Sequence, residues 1–232
     1  MNAIVLAAGI GSRLLPLSRS VPKPLTIVND ETIIERQIAC LQSRGIKEIY
    51  VVIGYCAERF QYLKQKHNIN LIYNPEYLRY NNIYSLYLCR ELLGDTWILE
   101  ADVFIANNFL STSIRKSTYF SVFKSNIETE WVLEFSEMQM LERILIPEEF
   151  LPVGNYKDGA YIMSGISFWD RLATQKIANY LNCYTLSGNQ YWDQIIKDNL
   201  SNFEIYVQKI KSNDCFEIDT PGDLAALKAL YV

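Results

Sequence analysis

The chain has 232 residues, 50% of them apolar and 21% charged, with a net charge of -4. That is enough apolar material for a full core, and the acidic balance argues against the clustered cations of a nucleic-acid-binding surface, so any phosphate recognition has to be local. A single histidine argues against Ser-His-Asp hydrolysis and histidine-built metal sites, and the five cysteines, at 40, 56, 89, 183 and 215, are odd in number and free of C-x-x-C pairs, so neither a disulfide framework nor a zinc site is indicated. No apolar window reaches the length of a membrane span. The expectation is one domain over residues 1–232, cytoplasmic, with no nucleic-acid or membrane partner, as a monomer or a homodimer.

In chain order, the first signal is an apolar run from Ala3 to Ala8 that leads into Gly9-Ile10-Gly11-Ser12-Arg13-Leu14-Leu15-Pro16-Leu17 and closes at Pro22-Lys23-Pro24-Leu25. A buried strand that hands over to a two-glycine turn suits close approach of backbone to a ligand. Backbone N–H groups in such a turn converge on an anion, and Arg13 and Lys23 add the fixed positive charge a triphosphate requires. An ordinary tight turn with two surface cations reads equally well from spacing alone. The loop lacks the Gly-Lys-Ser/Thr ending of a P-loop, and Leu14 stands where a dinucleotide fingerprint has its third glycine.

Asp30 then caps a helix with Ile34, Ile38 and Leu41 on one face, ending at Gly45. A strand over 48–53, a helix over 56–67 and a strand over 70–73 complete a β-α-β-α-β run, which predicts a parallel sheet covered by helices on both faces. His67 falls at the polar end of the second helix and reads as a solvated surface residue. Residues 74–86 are dense in tyrosine and asparagine and become helical through about Leu93. Tyr80, Asn82 and Ser85 there offer flat rings, amides and hydroxyls, the equipment to stack on and read a base edge, or equally a polar loop capping a helix. A strand over 96–101 ends in Glu100-Ala101-Asp102, which puts carboxylates at the strand end that faces the glycine loop.

From Ser117 the strands become longer, alternating and aromatic-rich, over 119–124, 130–135 and 160–169, which predicts antiparallel or mixed extension of the sheet. Residues 146–158, with two prolines and a glycine, read as a mobile loop. Helices over 171–181 and 190–199 lead to a strand over 203–210, and a short strand ends at Asp219. Thr220 and Pro221 then start a terminal helix that docks through Leu224, Leu227 and Tyr231.

The run from Leu6 to Leu25 resembles the nucleotidyltransferase signature L-A-A-G-x-G-S-R-L-x-P-L-(T/S)-x(3)-P-K-P-L, with every fixed position filled. The resemblance implies that Leu6, Ala7, Ala8, Gly9, Gly11 and Ser12 cradle the nucleotide, that Arg13 meets the leaving phosphates and Lys23 the α-phosphate region, and that the segment with Tyr80, Asn82 and Ser85 borders the base. Asp102 resembles the aspartate that holds magnesium in this family, with Asp219 as its second oxygen ligand. The family more often has aspartate at the position of Glu100.

On the acceptor side, Tyr84, Trp131 and Trp192 are candidate walls of an aromatic cage, the surface that holds a quaternary ammonium, and each ring reads equally as core. The runs Tyr80-Asn81-Asn82-x-Tyr84-Ser85-Leu86-Tyr87-Leu88, Ser117-Thr118-Tyr119-Phe120-Ser121-Val122, Glu130-Trp131, Ser164-Gly165-x-Ser167-Phe168-Trp169-Asp170, Tyr191-Trp192-Asp193 and Glu217-Ile218-Asp219 are similar to bacterial choline-phosphate cytidylyltransferases. This resemblance spans nearly the whole chain. It implies an α/β, Rossmann-like nucleotidyltransferase fold, CTP and phosphocholine as substrates, Mg2+ as cofactor, Tyr191 as a further acceptor contact and Glu217 as counter-charge for the trimethylammonium. The competing expectations are a primary-ammonium acceptor such as phosphoethanolamine or 2-aminoethylphosphonate, a sugar 1-phosphate, and a non-catalytic nucleotide sensor.

Overall fold

The computed structural model describes residues 1–14, 21–151, 154, 156–183 and 187–230. Leu15, Pro16 and Leu17 of the signature, Tyr231 of the terminal helix and part of the 146–158 stretch lie outside the described residues. The first strand, β1 (Asn2–Ala7), is buried along its whole length, the consequence of having helices on both sides of a central strand. After it come β2 (Ile27–Val28), β3 (Glu31–Thr32), α1 (Ile33–Ser43), β4 (Ile49–Ile53), α2 (Tyr62–His67) and β5 (Asn70–Tyr73). Next are α3 (Asn82–Leu88), β6 (Thr96–Glu100), β7 (Val103–Ile105), β8 (Thr118–Lys124), β9 (Val132–Phe135), β10 (Leu141–Leu145) and α4 (Pro147–Phe150). The chain closes with β11 (Ala160–Trp169), α5 (Arg171–Cys183), α6 (Asp193–Asp198), β12 (Tyr206–Lys209), β13 (Cys215–Glu217) and α7 (Pro221–Ala229).

The main sheet runs β10-β9-β11-β6-β1-β4-β5, with β8 on the other edge of β11 and β12 beyond it. β1 pairs in parallel with β4 and β6, and β4 with β5, as the β-α-β-α-β pattern requires. β11 reverses direction against β6, β8 and β9, which makes the aromatic-rich half antiparallel. The two faces of β1 sort the core: Ala3, Val5 and Ala7 pack with Ile34, Ile38 and Leu41 of α1 and Leu63 of α2, while Ile4 and Leu6 pack with Ile83 and Leu86 of α3, Ile177 of α5 and Ile195 of α6. The mixed sheet is therefore flanked by helices on both faces.

Local differences from the sequence reading have identifiable causes. Asp30 does not cap α1. Asn29 and Asp30 both have positive φ (47° and 67°) and form the tip of a small β2–β3 hairpin, and the cap is Thr32, whose hydroxyl accepts the Glu35 N–H at 3.3 Å. The helix expected over 56–67 starts late because Cys56 is left-handed (φ 48°), so Ala57–Phe60 is a 3-10 turn and only Tyr62–His67 is α. His67 is half-buried, not solvated: its Nε2 lies 3.2 Å from Glu35 Oε1, which also takes Lys66 Nζ at 2.7 Å. The stretch 146–158 holds the short helix α4, with Pro147 at its first position and the Ile146 N–H bonded to Glu149 Oε2 at 3.0 Å.

Among the described residues, β2, β3, β7 and β10 carry too few residues or too mixed a pattern to register in the sequence, and β7 matters most. It pairs antiparallel with β13, Glu217 opposite Val103, and the Ile218 N–H donates to the Asp102 carbonyl at 3.0 Å. This ribbon brings the end of the chain to the end of β6.

Candidate active site

A cleft of about 590 Å3 opens at the carboxyl ends of β1 and β6, where open α/β sheets gather ligands. One wall is the β1 loop. Gly11 has φ +65°, and a Cβ there would lie 2.9 Å from Lys23 Cβ, so glycine is what lets the loop close onto the lysine. A 3-10 turn over Ser12–Leu14 and a second over Lys23–Leu25 then aim Arg13 and Lys23 at the same point.

That point is acidic. Lys23 Nζ lies 2.9 Å from Asp102 Oδ2 and 2.6 Å from Asp219 Oδ1, and Arg13 Nη1 lies 2.8 Å from Asp219 Oδ2. Burial alone would lower the Lys23 pKa, but the two carboxylates outweigh it and hold the ammonium charged. Carboxylate oxygens of Asp102, Glu217 and Asp219 come within 4.8 Å of one another. Burial, with Asp102, Glu130 and Asp219 beside it, pushes Glu217 up to about 8 despite Lys124 at 3.5 Å. A hard divalent cation fits this all-oxygen donor set, and the lysine ammonium already drawn between two of its members shows how strongly the spot favours positive charge.

The second wall comes from the segment before α3. Tyr80, Asn82 and Ser85 all line the cleft. Ser85 is buried and its hydroxyl accepts from Asn74 Nδ2 at 3.0 Å. Asn82 has its amide engaged within the protein: Nδ2 donates to Glu100 Oε1 at 2.7 Å and Oδ1 accepts the Trp192 N–H at 2.9 Å. Glu100 is raised well above the carboxylate range by burial and by the charges of Asp102 and Asp193.

The far end is aromatic. Trp131 and Tyr191 meet edge to face with centroids 5.9 Å apart, and both line the cleft. Trp192 is 2% exposed and forms the floor behind them, its ring edge-on to Trp169 at 5.5 Å. Tyr84 is not among the cleft residues. Its ring stacks between Tyr80 and Tyr87, at 5.2 and 5.6 Å, because its helical position faces away from the cleft, so it belongs to the outer wall.

Leu6, Ala7, Ala8, Gly9, Gly11, Ser12, Arg13, Lys23, Asp102, Trp131, Tyr191, Trp192, Glu217 and Asp219 do meet in this one cleft. Reading the sequence missed Asn74, Tyr119, Glu130 and Asp193, which also line it. Glu130 takes Lys124 at 2.7 Å, and Lys124 in turn links it to Glu217. Asp193 is half-buried, accepts from Tyr119 Oη at 2.7 Å, and is pushed up by desolvation to about 7. The motif Tyr191-Trp192-Asp193 carried the only signal for this last residue.

A two-glycine loop, paired cations and a carboxylate cluster meet at the sheet end, and the nucleotidyl transferase family model matches residues 2–127. The chain belongs to that family. It is 36% identical over 233 residues, 99% of its own length and 98% of the relative's, to the choline-phosphate cytidylyltransferase of Streptococcus pneumoniae (strain ATCC BAA-255 / R6). It is 31% identical over 238 residues, 100% of its length and 93% of the relative's, to the 2-aminoethylphosphonate cytidylyltransferase of Lancefieldella rimae. The solved CTP:phosphocholine cytidylyltransferase from Streptococcus pneumoniae superposes with a TM-score of 0.92 at 35% identity, covering 100% of this chain and 99% of that one.

Proposed function

We propose that this protein is a magnesium-dependent cytidylyltransferase that converts CTP and phosphocholine to CDP-choline and pyrophosphate. The observation that carries the reading is one cleft with a cation and carboxylate cluster at one end and the Trp131–Tyr191 wall at the other. The full-length likeness to a choline-phosphate cytidylyltransferase supports it. Ring faces and nearby carboxylates are the natural host for a trimethylammonium group, which has no N–H to donate.

In this reading the acceptor's phosphate oxygen attacks the α-phosphorus of CTP in line. A P–O bond to the acceptor forms, the bond to the β-phosphate bridge breaks, and pyrophosphate carries away the electron pair. The protein forms no covalent bond. Its residues align two anions and neutralise the charge that builds up. Gly9, Gly11 and Ser12 offer backbone N–H groups to the triphosphate, Arg13 meets the departing pyrophosphate, and Lys23 leaves its carboxylate partners for the α-phosphate. Asp102 and Asp219 would hold magnesium, with Glu217 beside them, and the ion when bound supplies further neutralisation of phosphate charge. Glu217, tied through Lys124 to Glu130, stands between this cluster and the aromatic wall and is the counter-charge for the ammonium. We read the whole chain as one catalytic domain that works on small molecules in the cytoplasm; no helix among the described residues is long and apolar enough to cross a membrane.

A second acceptor class is favoured by one observation: Glu130, Asp193 and Glu217 supply acceptors for the N–H groups of a primary ammonium, and one full-length relative is a 2-aminoethylphosphonate enzyme. Pyrophosphate release with CTP, Mg2+ and each of phosphocholine, phosphoethanolamine, 2-aminoethylphosphonate and glucose 1-phosphate separates the two. The expected result is a clear preference for phosphocholine. Preference for a primary amine would replace the acceptor half of the proposal, and silence with every acceptor and nucleotide would leave a non-catalytic nucleotide binder.

A further inference from the structure

The nucleotide-side and acceptor-side walls are separate in sequence, yet they are stitched together at one place. The Asn81 N–H donates to the Gly188 carbonyl at 2.9 Å. One residue on, the Asn82 amide uses both of its ends: Oδ1 takes the backbone N–H of Trp192 at 2.9 Å, and Nδ2 donates to Glu100 Oε1 at 2.7 Å. From the start of α3 the Asn82 amide thus bridges the segment before α6 and the end of β6. Trp192 sits directly behind Tyr191, which meets Trp131 edge to face. Glu100 precedes Asp102 by two residues, on the turn that carries the acidic cluster.

The amide accepts from the Trp192 N–H and donates to Glu100. Aspartate would still accept from Trp192 but has no N–H for Glu100, while alanine would leave both groups without this partner.

We propose that Asn82 is a positioning residue for the acceptor wall: from the nucleotide side of the cleft it fixes Trp192, and through Trp192 it fixes Tyr191, so that the ammonium end of the acceptor finds a preformed surface. This rests on the cytidylyl transfer reading for its kinetic consequence, but not for its structural one. The acceptor phosphate and the α-phosphate have to be aligned to within fractions of an ångström, and a wall that shifts misplaces the acceptor without touching the nucleotide.

Two measurements on Asn82→Asp and Asn82→Ala test it against the unaltered protein. The first is steady-state pyrophosphate release with CTP and phosphocholine varied in turn. The expected result is a KM for phosphocholine raised on the order of tenfold, the worth of a buried hydrogen bond and its unpaired partner, with the KM for CTP changed by less than about threefold. The second is amide hydrogen exchange without any substrate, where the Trp192 amide should exchange about three- to tenfold faster in Asn82→Ala, which removes its acceptor, while the core amides of β1 keep their protection. Trp192→Phe, which keeps the backbone N–H on Asn82 but trims the ring behind Tyr191, should reproduce the KM split more weakly, and it serves if the Asn82 variants fold poorly. A CTP KM that rises as much as the phosphocholine KM would overturn the proposal and make Asn82 a nucleotide contact. Unchanged Trp192 exchange in Asn82→Ala would overturn it as well. If the unaltered protein turns over no acceptor at all, the functional reading fails, and the exchange result alone decides the positioning role.

Discussion

Lys23 is the residue on which the cleft's electrostatics turn. It is 6% exposed, and its ammonium keeps Asp102 and Asp219 from facing one another uncompensated. Lys23→Met is expected to cut turnover by at least about a hundredfold, the usual cost of removing a charge that stabilises a transferring phosphoryl group. It should also make the fold more responsive to Mg2+, since the ion then supplies the cation the two carboxylates have lost. Thermal melts across a Mg2+ titration check this, and a melting shift no larger than that of the unaltered protein would mean that the two carboxylates do not share a cation site. Trp131 makes a different kind of contribution. Trp131→Ala should raise the KM for phosphocholine by the worth of one cation–π contact, about 0.5 to 2 kcal/mol, and leave the KM for CTP nearly unchanged. Equal losses for both ligands, measured side by side, would assign the ring to packing.

Between elements, α1 and α2 are joined by Leu63 packing on the α1 core face, by Gln42 Nε2 donating to the His67 carbonyl at 2.6 Å, and by one carboxylate. Glu35 completes the α1 capping box with Thr32 and takes Lys66 and His67 from the end of α2. Burial works against its ionisation, but the Lys66 ammonium, the Thr32 hydroxyl and the His67 ring prevail and hold it down at about 2. A folded pKa below the unfolded value means stability that is present above about pH 4.5 and is lost as pH falls toward 2. Glu35→Gln is expected to destabilise the fold by about 0.5 to 2 kcal/mol at neutral pH, the range for a lost cap, and to flatten the acid limb of stability against pH. Urea unfolding at pH 3 and pH 7 tests both parts. At the other end of the sheet, the long strand β11 changes partners at Gly165, whose φ is +75° and where a Cβ would come within 2.8 Å of Val103 and 3.2 Å of Glu100. This irregularity lets one strand serve β6 beside the acidic cluster and β9 beside the aromatic wall.

Across the whole molecule, the cleft concentrates half-buried acids whose protonation runs opposite to that of Glu35. Burial raises Glu100 well above its usual range, Asp193 to about 7 and Glu217 to about 8. An acid with a raised folded pKa binds more protons folded than unfolded, so its share of stability is present at low pH and is lost as pH rises through the folded value. The ligand-free protein is therefore expected to lose stability between about pH 4 and pH 8 from these groups. Asp193→Asn, which keeps the shape and removes the titration, should flatten the part of that slope below about pH 7. Melting temperatures of the two proteins over this range are the check, and parallel curves would show that Asp193 titrates normally.

The sequence alone determined the order of β1, α1, β4, α2 and β5, the two-glycine loop after β1 and Arg13 and Lys23 as its candidate cations, with Asp102 and Asp219 added by family resemblance. These are legible because local chemistry writes them: apolar runs for buried strands, glycines for close approach, and a cap with proline for α7. It misplaced the α1 cap, the start of α2 and the direction of Tyr84, which are decided by backbone conformation at Asn29, Asp30 and Cys56 and by the stacking of Tyr84 on Tyr80 and Tyr87. It also misplaced the exposure of His67, which depends on Glu35 far along the chain. Only the tertiary structure decided that β7 and β13 pair and so bring Asp219 to Asp102, and that the Asn82 amide faces Glu100 and Trp192 instead of open cleft. The physical reason is the same in each case. A side chain's type is local, but its burial, charge environment and hydrogen-bond partners are set by residues that only the folded chain brings within a few ångströms.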